Sequence, residues 1–295
     1  MFQMQTLFEI RKLQLSMNMK TVTLPSGERV PAFGLGTWRM GENRADRESE
    51  IATIRLALDR GVTLIDTAEM YGEGKSEELI GEALAGRRDQ AFLVSKVYPQ
   101  NASRLGAARA CDRSLRRLRT DRIDLYLLHW RGNTALSETM EAFMVLRQAG
   151  KIRQFGVSNF DLKDMKELWR VPGGTAIATN QLLYNLSRRG IERDLLPWLR
   201  ERRIPVMAYS PIEQARLVQD QKLIAFARRS GMTAAQAALA WLLANDDMIA
   251  IPKTSRPERL EENLGALRHP LSAQQIAELD RLFPAPRTPQ PLEML

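Results

Sequence analysis

The feature that most constrains this chain is an alternation running almost its whole length. A short apolar run is followed by a longer amphipathic segment, eight times in order. A hairpin comes first, TVTL and RVPAF around the turn Pro25-Ser26-Gly27-Glu28. FGLGTW then opens the series, followed by a helical stretch over 47–60. TLID (63–66), AFLVSK (91–96), IDLYLLH (123–129), QFGVS (154–158), AIATNQ (176–181), PVMAYS (205–210) and MIAIPK (248–253) read as the later strands. The amphipathic period predicts helices over 76–85, 103–118, 135–148, 161–170, 191–202, 220–230, 233–244, 257–267 and 272–282.

The strand segments are nearly continuous in apolar residues, as expected when both faces of a parallel sheet are covered. Eight such units in roughly 250 residues match a closed (β/α)8 TIM barrel. An open doubly wound sheet is the competing architecture. The expectation is therefore an α/β fold, a (β/α)8 barrel with an N-terminal β-hairpin, as one domain over 20–295 ending in a Pro-rich tail. Residues 1–19 are expected to be an extension outside the fold. Glu9, Arg11 and Lys12 interrupt that stretch and no small-residue cleavage site follows, so a secretory signal is not expected.

Composition excludes several classes. No run of 18 or more apolar residues exists, so no membrane-spanning helix is expected. Cys111 is the single cysteine, which fits a reducing cytoplasm, and His129 and His269 are the only two histidines, too few for a histidine-rich metal site. The net charge of +8 favours anionic partners, but most arginines stand beside acids in helical patterns, as over Arg113–Arg122 and 192–203. No RNA-reading aromatic motif or zinc-finger spacing appears, so no nucleic acid partner is expected.

In a closed parallel barrel, reactive groups collect at the C-terminal ends of the strands. Those positions hold Trp38, Asp66, Lys96, His129, Ser158 with Asn159, Gln181, Tyr209 with Ser210, and Lys253. Asp66, Lys96 and His129 end three consecutive strands, and Tyr71 lies five residues past Asp66. Singly, each has a bland explanation: a loop cap, a surface lysine, a buried hydrogen-bonded histidine, a loop aromatic. Together they bring a carboxylate, an ammonium, an imidazole and a phenol to one mouth. A free tyrosine, with a pKa of about 10, is a poor acid near neutrality. A neighbouring lysine cation is expected to stabilise phenolate and lower that value, with Asp66 keeping Lys96 charged and His129 placing a substrate oxygen. Such a site protonates an oxygen on which negative charge develops.

Two weaker signals fail. GEGKS (72–76) ends like a phosphate-binding loop, but Glu69 stands where its first glycine belongs. Gly34-Leu35-Gly36 begins like a dinucleotide fingerprint, but Arg39 holds the third glycine position.

The segments LIDTAEMYGEGKSEELIGEAL (64–84), FLVSKVYP (92–99), DRIDLYLLHW (121–130), GKIRQFGVSNF (150–160), NQLLYN (180–185), AYSP (208–211) and IPKTSRPERLEEN (251–263) resemble the aldo-keto reductase family, in family order. The texture of TAEMY, SKVYP, LLHW and PVMAYSP is similar to the bacterial methylglyoxal reductases within it. The resemblance implies a relay of Asp66, Tyr71, Lys96 and His129. It implies that Ser158, Asn159 and Gln181 bind a nicotinamide carboxamide, that Tyr209 stacks on the ring, and that Ser210 contacts the pyrophosphate. Lys253, Thr254 and Arg259 match a clamp for the 2′-phosphate and adenine, and Glu262 and Asn263 match adenine contacts. This implies NADPH as cofactor, and Trp38 and Trp130 as walls of a small pocket suited to short aldehydes or dicarbonyls.

The segment after Pro211 is short, which implies a reduced cofactor strap, and the tail from Phe283 is short as well. The reading is a cytoplasmic, monomeric carbonyl reductase. An alternative is an NADPH-binding regulatory subunit with little turnover, since the resemblance extends to potassium-channel β-subunits. A phosphosugar aldolase using Lys96 as a Schiff base is disfavoured by Asp66 beside it.

Overall fold

The computed structural model describes residues 19–295. The expectation for residues 1–19 lies outside these, apart from its last residue. Met19 packs against the core, and Lys20 Nζ donates to the carbonyls of Leu243 and Asn245, so the chain is already part of the fold there.

The hairpin forms as expected, β1 (Thr21–Thr23) antiparallel to β2 (Arg29–Pro31). Its turn places Gly27 at φ 87°, a left-handed conformation that glycine adopts without steric cost. Val22, Leu24 and Val30 are buried, and Glu28 pairs with Arg153 at the start of a barrel strand. The hairpin thus covers the N-terminal end of the barrel, opposite the mouth.

Eight parallel strands follow in sequence order: β3 (Gly34–Gly36), β4 (Leu64–Asp66), β5 (Phe92–Val97), β6 (Ile123–Leu128), β7 (Ile152–Ser158), β8 (Asn180–Leu183), β9 (Val206–Tyr209) and β10 (Met248–Ala250). Parallel bridges Phe33–Ala250 and Gly36–Lys253 bring the last strand back to the first, and the Gly36 N–H donates to the Pro252 carbonyl at 3.0 Å. The closed barrel, not the open sheet, is the architecture. Closure is tight at one point: a Cβ on Gly36 would lie 2.9 Å from the Ile251 carbonyl oxygen.

The outer layer comprises α1 (Arg47–Asp59), α2 (Lys75–Ala83), α3 (Arg104–Leu118), α4 (Leu136–Gln148), α5 (Leu162–Leu168), α6 (Leu195–Glu201), α7 (Gln221–Arg229), α8 (Ala234–Leu243), α9 (Pro257–Leu264) and α10 (Ala273–Leu282). Capping boxes start α5 at Asp161, α8 at Thr233 and α10 at Ser272.

Several element boundaries differ from expectation; the strands expected over 33–38 and 248–253, for instance, form only at Gly34–Gly36 and Met248–Ala250. The helix predicted over 191–202 begins only at Leu195, capped by Asp194. Pro197 has no N–H to donate, which the first turn tolerates and an interior position does not. The helix predicted over 257–267 gives way to a 3-10 turn over Gly265–Arg268. The strand predicted over 176–181 forms at Asn180–Leu183 instead. Thr179 Oγ1 donates to the Pro205 carbonyl and the Ala178 N–H to the Phe155 carbonyl, which bonds the approach outside the strand proper. Gln181 therefore sits within the strand, in register with Ser158 and Met207, and deeper than a terminal residue.

Gly36→Ala is expected to lower stability by about 1–3 kcal/mol, because the added methyl forces β3 off the end of β10. Urea denaturation compared with the parent chain measures this.

Candidate active site

The strand register places the charged groups. Asp66 ends β4 opposite Val94 of β5, so Lys96 lies one inward-facing position further along. Its ammonium is fully buried and bonds both Asp66 carboxylate oxygens at 2.9 Å, the Thr67 carbonyl at 2.7 Å and the Tyr71 hydroxyl at 3.3 Å. An ammonium has three N–H groups. One is shared by the two carboxylate oxygens, one goes to Thr67, and the third points at the phenol oxygen.

Tyr71 is carried by the loop after β4, which is pinned at Glu69. That carboxylate, itself buried, accepts from the Tyr98 N–H at 2.8 Å and from Asn101 Nδ2 at 2.9 Å, and pairs with Arg113. Tyr71 meets His129 edge to face at 5.9 Å between ring centres, and Trp130 packs on His129 at 4.9 Å. The structure thus brings together all four residues expected to form the relay.

They stand at one side of a cavity of about 580 Å³, whose wall includes Trp38, Trp130, Ser158, Asn159, Gln181, Tyr209, Ser210 and Lys253. Ser158 Oγ donates to the Gln181 carbonyl, Asn159 Nδ2 to the His129 carbonyl, and Tyr209 OH to Asn159 Oδ1 at 2.9 Å. The segment from Thr254 into α9 lies beyond this wall. Thr254 Oγ1 donates to the Arg256 carbonyl, Arg259 pairs with Glu262, and Asn263 is buried. Among the described residues no cluster of three or more histidine, cysteine or carboxylate groups could hold a metal ion.

Burial governs the ionisation of the site. Desolvation and then the Asp66 charge push the Tyr71 phenol well above its usual value, opposite to the expected lowering by Lys96. The lysine gives its charge first to Asp66, and the apolar surroundings penalise phenolate. Desolvation also draws the Lys96 ammonium downward, against the pull of Asp66. His129 is lowered to about 2 by burial and by Lys96, so it is a neutral imidazole. Its Nδ1 has no partner among the described residues.

Sequence reasoning missed part of the wall: Thr37 and Met70, the loop residues Ile212, Gln214 and Ala215, and the far C-terminal Met294 and Leu295. Thr37 and Met70 adjoin segments already singled out, and only the family resemblance, whose tails help shape the substrate pocket, links the short tail from Phe283 to the mouth, without naming Met294 or Leu295. The segment after Pro211, expected to be a reduced strap, is compact and fixed. Glu213, Gln214 and Ala215 have φ of 51°, 50° and 70°. Buried Glu213 accepts from Asn185 Nδ2 and pairs with Arg188, which also pairs with Glu293 of the tail.

A parallel barrel thus carries a buried carboxylate–lysine pair, a phenol and an imidazole at its C-terminal mouth, beside one cavity. The profile of the Aldo/keto reductase family matches residues 32–283, and the chain is an enzyme belonging to that family. It is 46% identical over 284 residues to methylglyoxal reductase YeaE of Escherichia coli (strain K12), covering 95% of this chain and 100% of that one. The glyoxal reductase of Bacillus subtilis (strain 168) is 31% identical, covering 93% and 97%. Among solved structures, an aldo/keto reductase from Klebsiella pneumoniae in complex with NADP and acetate superposes with a TM-score of 0.91 at 49% identity, covering 94% of this chain and 100% of that one. A structure of a Klebsiella pneumoniae aldo-keto reductase in complex with NADPH matches with the same score and identity.

His129 carries a pH signature. Its ordinary value of 6.5 applies to the unfolded chain and about 2 to the folded one. Between these the unfolded chain binds the extra proton, so stability falls as pH drops below 6.5, by up to about 1.4 kcal/mol per pH unit. Urea denaturation of His129→Gln is expected to show about 1.5 kcal/mol less loss between pH 6.5 and 5 than the parent chain.

Proposed function

We propose that this enzyme reduces small aldehydes and dicarbonyls, such as methylglyoxal, to alcohols with NADPH, and that Tyr71 is the general acid. One observation carries the reading: Lys96 donates to the Tyr71 oxygen while its other protons are held by Asp66 and Thr67. The phenol oxygen is thereby an acceptor toward the lysine, and its own proton is turned to the cavity.

The cavity residues fit a nicotinamide dinucleotide phosphate. Tyr209 offers a ring face, and Ser158 and Asn159 offer polar atoms beside it. Lys253 forms part of the cavity wall, and desolvation lowers its ammonium while Glu50 and Asp46 pull the other way. A partly desolvated cation of this kind gains most from a dianionic phosphate. Arg259, largely exposed and paired with Glu262, is a second cation, on α9, the helix that follows Lys253 in the chain. When bound, the cofactor supplies a hydride to the carbonyl carbon and leaves as its oxidised form.

The protein does the rest. Neutral His129 and the Tyr71 hydroxyl converge on the position where the carbonyl oxygen becomes negative, and Tyr71 donates the proton that completes the alcohol. The Lys96 ammonium then faces the phenolate left behind and stabilises it until solvent restores the proton. Burial keeps Tyr71 protonated before the reaction, so the acid form is present throughout the neutral range. Trp38 and Trp130 narrow the pocket toward short substrates and keep water out. The names and bound cofactors of the Escherichia coli and Klebsiella pneumoniae relatives support the same substrate class and cofactor.

Tyr71→Phe is expected to lower NADPH oxidation with methylglyoxal by about 10²–10⁴-fold, with cofactor affinity kept. Steady-state rates beside fluorescence titration of NADPH decide this, and full activity of the variant would sink the assignment. Lys253→Ala is expected to raise KM for NADPH by about 10–100-fold and leave NADH nearly unaffected, since only the phosphate contact is lost.

A further inference from the structure

The structure gives Gln181 a contact that cofactor binding does not require. Its side-chain Nε2 donates to Asp66 Oδ1 at 2.8 Å and approaches Met207 Sδ at 2.9 Å. Both residues of the Gln181–Asp66 pair are 2% exposed, so this bond is dry. An amide presents its nitrogen and oxygen on opposite sides. With Nε2 engaged by Asp66 and Met207, Oε1 is the atom left for the cavity that Gln181 lines. The orientation is not free, because turning the amide would set its oxygen against a carboxylate.

We infer that Gln181 is a positioning residue of the proton relay, holding Asp66 in its bidentate grip on Lys96 and linking whatever occupies the cavity to that grip. This rests on the reading of Tyr71 as the acid. Asp66 Oδ1 serves two donors, Lys96 and Gln181, whereas Oδ2 serves Lys96. The Gln181 bond spreads part of the Asp66 charge away from Tyr71. A donor arriving at Oε1 from the cavity polarises the amide and strengthens its N–H bond to Asp66. The carboxylate then pulls less on Lys96, and more of the ammonium's field reaches the phenol.

The charged and titratable groups around this unit are Lys96 on β5, with Glu77 of α2 behind it, His129 on β6, and Tyr209 on β9. Glu77 accepts from Ser95 Oγ at 2.7 Å and pairs with Arg117, so its charge is largely answered on the far side of the strand. Gln181 is the group on β8 that touches Asp66.

Two substitutions separate this role from simple cofactor binding. Gln181→Met keeps the length and loses the donor. Gln181→Glu keeps an oxygen for the cavity and opposes Asp66 with a second carboxylate. Single-turnover rates at saturating NADPH are expected to fall about 10-fold in Gln181→Met, with the alkaline limb of the pH profile moved up by about half a unit or more. Gln181→Glu is expected to be slower still near neutral pH and to recover as the pH falls, because its protonated carboxyl again donates to Asp66. A pure cofactor ligand gives the reverse order, with Glu better than Met, a raised dissociation constant for NADPH, and a single-turnover profile superimposable on the parent. That result would overturn the inference.

A readout without cofactor comes from urea denaturation of Gln181→Met, Asp66→Asn and the double variant. Non-additive losses are expected, and additive ones count against the bond. Tyr71→Phe in the same assay keeps the two readings apart. If it retains parent-like turnover, the acid assignment falls. If it is inactive while Gln181→Met has an unchanged profile, only the role of Gln181 falls.

Discussion

The site depends on one buried ion pair, Lys96 with Asp66, closed off inside the barrel where each side chain is at most 3% exposed. Two charges taken from water cost more than their attraction returns unless every remaining donor and acceptor is met. Here they are met: Thr67 and Tyr71 take the other ammonium protons, and Gln181 takes the carboxylate's spare acceptor site. The pair is therefore a geometrical commitment as much as a source of stability. Once Asp66 holds Lys96, the phenol oxygen of Tyr71 meets the side of the ammonium left open by Asp66 and Thr67.

The two sides of the mouth are built differently. Asp66, Tyr71, Lys96 and His129 stand on strands and on a loop locked by Glu69, with Glu77, Ser95 and Arg117 bracing β5 from behind. These groups cannot drift without breaking buried bonds. The opposite side is made of the segment after Pro211 and the C-terminal tail. Glu213, Gln214 and Ala215 in that segment, and Ser210 just before it, have positive φ, a conformation non-glycine residues disfavour. Asn185 and Arg188 hold Glu213 in place, and Arg188 reaches on to Glu293. A side built on strands and a side built from a pegged loop and the tail thus meet across one cavity.

Much of this is legible in the amino-acid sequence. The period of short apolar runs and amphipathic segments implied parallel strands covered on both faces, and a count of eight implied closure. Strand ends named Asp66, Lys96 and His129, because side chains there converge wherever the barrel closes. Less was legible where a boundary depended on bonds from elsewhere. β8 formed at Asn180–Leu183 because Thr179 and Ala178 bond neighbouring strands outside the ladder, and α6 waited for Asp194 and Pro197. The Tyr71 phenol is raised rather than lowered, since burial away from water outweighs the neighbouring Lys96 cation, and sequence neighbours do not reveal burial.

The sequence by itself determined the fold class, the family and which residue types stand at the strand ends, because periodicity and motif order are properties of the chain alone. Tertiary structure decided how the charges are shared. The contacts of Gln181 with Asp66, of Glu69 with the next loop, and of the tail with the mouth join residues far apart in sequence. Such contacts exist only after closure has excluded water, and water's absence makes each of those polar bonds matter.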